Sequence, residues 1–223
     1  MKSKTIRTIA CIISLVAILS LTGIFTYLTD AKATYDKFTI GQVRIEIEEP
    51  SWQEAEDLNS NGIPDYAEKL VPNSTIKKDP QTINVGENSA LVYFKVKVPV
   101  QNIITAKENG ILENSGKAKD TELFSYSVNN NWEEITSARD SIKNTSGKIE
   151  YNTYVYYYKF PLEHKNDRTQ SLFDKVKFAN LISNEQNENI YQIGLEAYAI
   201  QAENLPEGIG IEEAYQIYVN QEG

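Results

Sequence analysis

The chain has few of the residues that carry most enzyme chemistry. Its 223 residues include one cysteine, one methionine and one histidine. The cysteine and the methionine, Cys11 and Met1, both precede residue 27, so the remainder of the chain contains no sulfur. This absence excludes a thiol nucleophile, a disulfide framework and a cysteine-ligated metal after residue 26.

The single histidine, His164, lies in a polar stretch that follows a predicted strand. A zinc hydrolase normally uses two or three histidine ligands, and the helical motif with paired histidines does not occur in this sequence. A Gly-x-Ser-x-Gly nucleophile elbow does not occur either. We therefore predict that His164 is a surface loop residue and that the chain is not an enzyme.

Basic charge is also scarce, with 22 Lys and Arg against 31 Asp and Glu. Lys2, Lys4 and Arg7 precede residue 27, which leaves 19 basic residues and a net charge of −12 for the rest of the chain. Duplex nucleic acid and anionic membranes are bound through clustered Lys and Arg. The acidic composition argues against both as partners of the body, which is long enough for one globular domain.

The N-terminal segment has the layout of a secretory signal. No charge lies between Arg7 and Asp30, and an apolar run follows the basic residues. We predict a signal peptide at residues 1–26, although the small-x-small site at 31–33 also permits cleavage as late as residue 33. An uncleaved anchor is the alternative, because about 20 apolar residues span a membrane. Membrane contact is expected only through this segment, and signal peptidase is the expected partner during export.

The body, residues 27–223, shows mostly the alternating pattern of β-strands. Long strands are expected at 38–48, 91–100, 151–160 and 191–200, with shorter ones at 81–85, 123–128 and 175–179. Helical spacing is clear only at 211–219. About seven strands with a few short helices predict an all-β fold, a single β-sandwich domain interrupted by an excursion at residues 50–80.

Two strands carry more specific expectations. Pro99 lacks a backbone N–H, so it is expected at the edge or end of the 91–100 strand, whose Val92 and Phe94 alternate with Lys95 and Lys97. The tyrosine-rich strand at 151–160 is predicted to be a central strand that packs on both faces, because it is apolar throughout.

The excursion contains a twelve-residue pattern that matches a calcium-binding loop. Oxygen-bearing side chains occupy positions 1, 3, 5, 9 and 12, with Gly62 at position 6. The pattern predicts coordination by side chains and by the carbonyl of position 7: Asp57, Asn59, Asn61, Ile63, Asp65 and Glu68. Calcium is therefore the one candidate cofactor, in a structural and not a catalytic role.

A second interpretation of the same residues requires no metal. Only three of the five side-chain ligands are charged, and residues 52–56 form at best one helical turn before the loop. Asn, Gly and Pro residues could simply reverse the chain, with Asp65 capping a short helix.

Several segments, in order along the chain, resemble the camelysin/TasA family of secreted Gram-positive proteins. The similarity begins at the end of the signal and in the first strand and continues through most of the body: Gly23-Ile-Phe-Thr-Tyr-Leu-Thr-Asp30, Phe38-Thr-Ile-Gly-Gln-Val-Arg-Ile-Glu-Ile, Glu49-Pro-Ser-Trp52, Lys78-Asp-Pro80 with Asn84-Val-Gly86, Tyr93-Phe-Lys-Val-Lys-Val, Thr121-Glu-Leu-Phe124, Leu172-Phe-Asp-Lys-Val-Lys-Phe178 and Glu196-Ala-Tyr-Ala-Ile-Gln201. Members of this family are processed by an ER-type signal peptidase.

The resemblance implies a jelly-roll-like β-sandwich that is secreted to the extracellular matrix or the cell surface. It further implies a structural role in the biofilm matrix, with self-association into fibres or contact with other matrix proteins. Some relatives form fibres by passing an N-terminal strand to the next subunit, and residues 28–39 are the corresponding arm here. The alternatives are a camelysin-like surface metalloendopeptidase, for which no zinc-site residue can be matched, and a calcium-stabilised extracellular binding module.

Overall fold

The fold is described from a computed structural model, which covers residues 43–68, 70–182, 192–203, 205 and 208–221. These residues all fall within one compact unit, Lys37–Gly223. The predicted signal peptide, both cleavage sites, the arm at 28–39 and the start of the 38–48 strand lie outside the described residues.

The described residues confirm the predicted all-β fold. They contain two α-helices, α1 (Pro50–Gln53) and α2 (Ile211–Gln221), and twelve strands: β1 (Ile45–Glu48), β2 (Thr75–Lys77), β3 (Gln81–Asn84), β4 (Ala90–Ile103), β5 (Lys119–Glu122), β6 (Phe124–Tyr126), β7 (Trp132–Glu134), β8 (Asp140–Lys143), β9 (Ile149–Tyr158), β10 (Asp167–Arg168), β11 (Lys175–Phe178) and β12 (Gly194–Gln201). Single 3₁₀ turns occur at Asp65–Ala67, Glu113–Gly116 and Thr136–Ala138.

The strands form three antiparallel sheets. The largest has the order β12-β4-β9-β7, with β8 also pairing with β9 and β5 pairing with β4. The two smaller sheets have the orders β1-β3-β10 and β2-β11-β6. The excursion at 50–80 therefore connects two neighbouring strands, β1 and β3, and contributes β2 to the third sheet.

One face of the large sheet packs against the smaller sheets. Alternate residues of β4, namely Val92, Phe94, Val96 and Val98, have no exposed surface. They share one core with residues of both smaller sheets: Ile45 and Ile47 of β1, Ile76 of β2, Tyr126 of β6, and Val176 and Phe178 of β11. Packing of one-faced sheets against each other gives the sandwich-like architecture that the alternation predicted.

The opposite face of the large sheet is covered by α2. Leu91 and Tyr93 of β4 form a second core with Ala214, Tyr215 and Tyr218 of the helix. The Tyr93 hydroxyl donates a hydrogen bond of 2.7 Å to the carbonyl of Ile211, the first residue of α2. The second face of β4 is therefore buried at Leu91 and Tyr93 and partly exposed from Lys95 onward, at Lys95, Lys97, Gln101 and Ile103.

The tyrosine-rich strand is central, as predicted, because β9 lies between β4 on one side and β7 and β8 on the other. Pro99 lies at an edge, as expected, and not at an end, since β4 continues four residues beyond it to Ile103. The ladder with β12 ends at Lys97 and the ladder with β5 begins at Val100, so Pro99 itself pairs only with β9, opposite Tyr151. The carbonyl of Pro99 accepts the N–H of Leu123 at 2.9 Å, and its missing N–H falls between the β12 and β5 ladders.

Candidate functional site

The excursion between β1 and β3 contains the residues that the sequence pattern predicts as calcium ligands. It begins with the single-turn helix α1 and contains the loop of residues 57–68, which ends in the 3₁₀ turn Asp65–Ala67. Gly62 has φ +83° with no atom within 4 Å of where a Cβ would lie. The backbone conformation, and not crowding, therefore favours glycine at position 6 of the loop.

The loop brings together the side chains that the calcium pattern singled out. Both carboxylate oxygens of Asp57 accept backbone N–H groups, from Asn61 at 3.2 Å and from Gly62 at 2.8 Å. Asp65 Oδ1 accepts the N–H of Leu58 at 3.1 Å, which closes the loop on itself. These contacts fold the chain around its own acidic side chains.

Glu68, the predicted bidentate ligand, faces the two asparagines. Its Oε1 accepts hydrogen bonds from the side-chain amides of Asn59 and Asn61, the latter at 2.7 Å. Ile63 contributes its N–H to Asn61 Oδ1 at 2.8 Å. Hard oxygen ligands of this kind fit calcium, but Asn59 and Asn61 present their amide nitrogens to Glu68, so both amides would have to rotate to offer oxygen.

Among the described residues, no group of three His, Cys, Asp or Glu side chains is arranged to hold a metal ion. The donor set of the 57–68 loop would thus depend on its two asparagines and on a backbone carbonyl. His164 is exposed in the turn before β10, which confirms its prediction as a surface loop residue.

The base of the excursion is held by a group of polar contacts that we call the base clamp, formed by Glu49, Ser51, Lys78 and Asp79. Lys78 Nζ lies 2.8 Å from Glu49 Oε2, and the two side chains are only 9% and 15% exposed. Asp79 Oδ2 accepts the Ser51 hydroxyl at 2.8 Å, and Asp79 Oδ1 accepts the Ser51 N–H at 2.9 Å. The base clamp joins the end of β1 to the start of β3.

Tyr66 links the 57–68 loop to the base clamp. Its hydroxyl approaches the carbonyls of Ser51, at 3.3 Å, and Lys77, at 3.1 Å, and its ring stands edge-on to Trp52. Burial and the nearby carboxylates of Asp79 and Glu49 raise the pKa of the Tyr66 hydroxyl. Because these contacts join residues more than ten positions apart, the local sequence pattern gave no sign of them.

The outer edge of β1 is the strand edge closest to the start of the described chain. β1 pairs with β3 on one side only, and within the described residues its other edge carries no strand. Some Cα atoms of β12 lie within 8 Å of β1, but no ladder joins the two strands, and among the described strands β12 pairs only with β4. Both strands therefore present backbone groups that a further strand can pair with.

The described residues contain no helix long and apolar enough to cross a membrane. Comparison of the chain with protein-family models, curated proteins and solved structures finds no match.

Proposed function

We propose that the chain is a secreted structural protein of the cell surface or biofilm matrix, and that copies assemble through addition of an N-terminal strand to a neighbouring body. The observation that carries the proposal is the outer edge of β1, with which no strand among the described residues pairs. Strand addition needs such an edge, because main-chain hydrogen bonds supply its affinity.

The position of the arm in the sequence supports this proposal. Residues 28–39 end six positions before β1 begins at Ile45. The core among the described residues is formed without the arm, so an arm that precedes β1 would reach a neighbouring copy without unfolding that part of the sandwich. The β1 carboxylates are engaged elsewhere: Glu48 Oε2 accepts from Arg168 of β10 at 3.0 Å, on the far side of β3, and Glu46 pairs with Arg44.

Removal of the arm tests strand addition directly. Deletion of residues 27–39 should leave a soluble monomer, because the body keeps its core but loses the donated strand. Sedimentation velocity of the deletion variant measures this outcome. The control replaces the same residues with a Gly/Ser linker of equal length, which restores the reach of the arm but not its β-forming side chains; we expect it to stay monomeric as well. Assembly of either variant at the level of the intact chain would contradict strand donation.

A calcium-stabilised module is the second candidate, favoured by the convergence of the 57–68 loop. Asp57, Asn59, Asn61, Asp65 and Glu68 would hold the ion, which would fasten the loop to the base clamp through Tyr66. The positive charge of calcium would hold the carboxylates of the loop together, and the ion would take part in no catalytic step. With three carboxylates, the site would belong to the weak class of extracellular modules, with Kd of about 10⁻⁴–10⁻³ M.

Calorimetric titration of calcium into metal-free protein tests the loop. We expect binding in that range, and a gain of about 1.4 kcal/mol in the free energy of unfolding at ten times the Kd. The Glu68→Gln variant should weaken binding at least tenfold, because it removes one of three charged ligands, whereas Glu87→Gln, an exposed change outside the loop, should not. An absence of heat at millimolar calcium would retire the calcium proposal and leave the loop as a polar turn.

A further inference from the structure

A polar groove opens where the loop of residues 104–113, strand β5 and the β6–β11 pair meet. Its volume is about 270 Å³. Sites for drug-sized ligands occupy roughly 300–1,000 Å³, so this groove suits a ligand close to the size of a single sugar ring. It lies on different elements from the 57–68 loop and the base clamp.

The walls of the groove are fixed to each other. The side-chain amide of Asn180 donates to the carbonyls of Ala106, at 3.1 Å, and Lys107, at 3.3 Å, which pins the 104–113 loop to the end of β11. Lys177 of β11 pairs with Glu108 of the loop at 2.6 Å, and this pairing lowers the pKa of the Glu108 carboxyl. The Asn180 hydrogen bonds therefore hold the loop at the end of β11, and the exposed Lys177–Glu108 pair adds little to them.

Two of the residues that line the groove are glutamates whose carboxylates accept hydrogen bonds through only one of their two oxygens. Glu113 Oε2 accepts the hydroxyl of Thr105, a side chain only 5% exposed, at 2.6 Å. Glu122 Oε1 accepts both the Asn152 amide, at 2.7 Å, and the Tyr154 hydroxyl. Among the described residues, the second oxygen of each carboxylate has no hydrogen-bond partner. Thr105, the partner of Glu113, also lines the groove, whereas Asn152 and Tyr154 do not, so Glu113 is the acceptor held at the groove.

The backbone beside the groove is unusual. Asn114 and Ser115 have φ of 47° and 54°, and Gly116 follows with φ 73°, so three successive left-handed residues come directly after Glu113. Asn73, which lines the groove, has φ 67°. Strained conformations of this kind persist where the surrounding structure holds them, and they concentrate at ligand sites.

The chemistry of the lining identifies the class of ligand. Lys107 and Lys177 offset two of the three glutamate charges, so the lining keeps one net negative charge and does not favour a phosphate. Carboxylates, hydroxyls and amides placed side by side match the vicinal hydroxyls of a sugar, each of which donates and accepts. We propose that this groove binds a neutral saccharide unit, a function that depends neither on calcium nor on strand addition.

An NMR titration of the ¹⁵N-labelled chain tests the proposal, with glucose, galactose and N-acetylglucosamine as neutral probes and glucosamine as a cationic probe. We expect saturable shifts of groove residues with at least one neutral sugar at millimolar concentration. Glu113→Gln should weaken this binding about tenfold, the effect of losing a hydrogen bond to a charged acceptor. Glu150→Gln, an exposed change on β9, is the matched control and should leave binding unchanged.

A second variant keeps the test decisive if Glu113→Gln alters folding. Ser125 is exposed on the lining, so Ser125→Trp should fill the groove without disturbing the core and should abolish the shifts. Three outcomes would overturn the proposal: no response to any neutral sugar, a response to glucosamine alone, or undiminished binding by the Ser125→Trp protein.

Discussion

Replacement of Phe94 with alanine should lower the free energy of unfolding by about 3–5 kcal/mol, the usual cost of truncating a fully buried aromatic side chain. Phe94 has no exposed surface, lies in the middle of the long central strand β4, and packs against Trp132 with ring centroids 5.2 Å apart. The loss combines the transfer of the ring out of water with the cavity that it leaves between the large sheet and the smaller sheets. Urea denaturation followed by tryptophan fluorescence measures the change.

Phe160 provides the matched control, since it is also a phenylalanine but is 55% exposed. Phe160→Ala should change stability by no more than about 1 kcal/mol, in keeping with a largely exposed ring that stands edge-on to Tyr158. Equal effects of the two substitutions would mean that Phe94 does not lie in the core.

Replacement of Lys78 with alanine should lower the free energy of unfolding by about 3 kcal/mol or more. The substitution leaves the Glu49 carboxylate, whose side chain is only 15% exposed, without its positively charged partner. Lys78 Nζ also lies 4.6 Å from the centroid of the Trp52 ring, so the substitution removes a cation–π contact as well. Thermal and urea unfolding of the variant give the magnitude.

The double variant Lys78→Met with Glu49→Leu separates charge burial from packing. It removes both charges together, so it should recover most of the loss, since a buried ion pair replaced by apolar residues is often neutral or stabilising. Arg44→Ala breaks an exposed pair with Glu46 and should cost no more than about 1 kcal/mol. If the Lys78 and Arg44 variants behaved alike, the base clamp would be a surface feature and not a buried tie.

The long strands could be predicted from the sequence because alternation is a local property. β4, β9 and β12 are each eight residues or longer, enough for a period of two to stand out. The strands β2, β5, β7, β8 and β10 escaped prediction because they are short and mostly polar, whereas the equally short β3, β6 and β11 lie within longer alternating segments at 81–85, 123–128 and 175–179. The edge position of Pro99 could be predicted from its missing N–H, whereas the continuation of β4 to Ile103 depends on its pairing with β5.

The candidate sites divide in the same way. The ligands of the 57–68 loop could be predicted together because all of them lie within twelve residues and one turn geometry. The Lys78–Glu49 contact of the base clamp joins residues 29 apart, and Glu122 is held by a tyrosine 32 residues away. The groove likewise draws its lining from residues 73–180, and no local pattern marks such a site.

Strand-mediated assembly is tested most directly by electron microscopy of the secreted, processed protein at a concentration where the arm deletion is monomeric. The open edge of β1 and the arm that precedes it predict filaments of uniform width, one body per repeat, that disappear when residues 27–39 are removed. Single particles of one body throughout, from protein whose arm is shown by mass spectrometry to be intact, would contradict the proposed structural role.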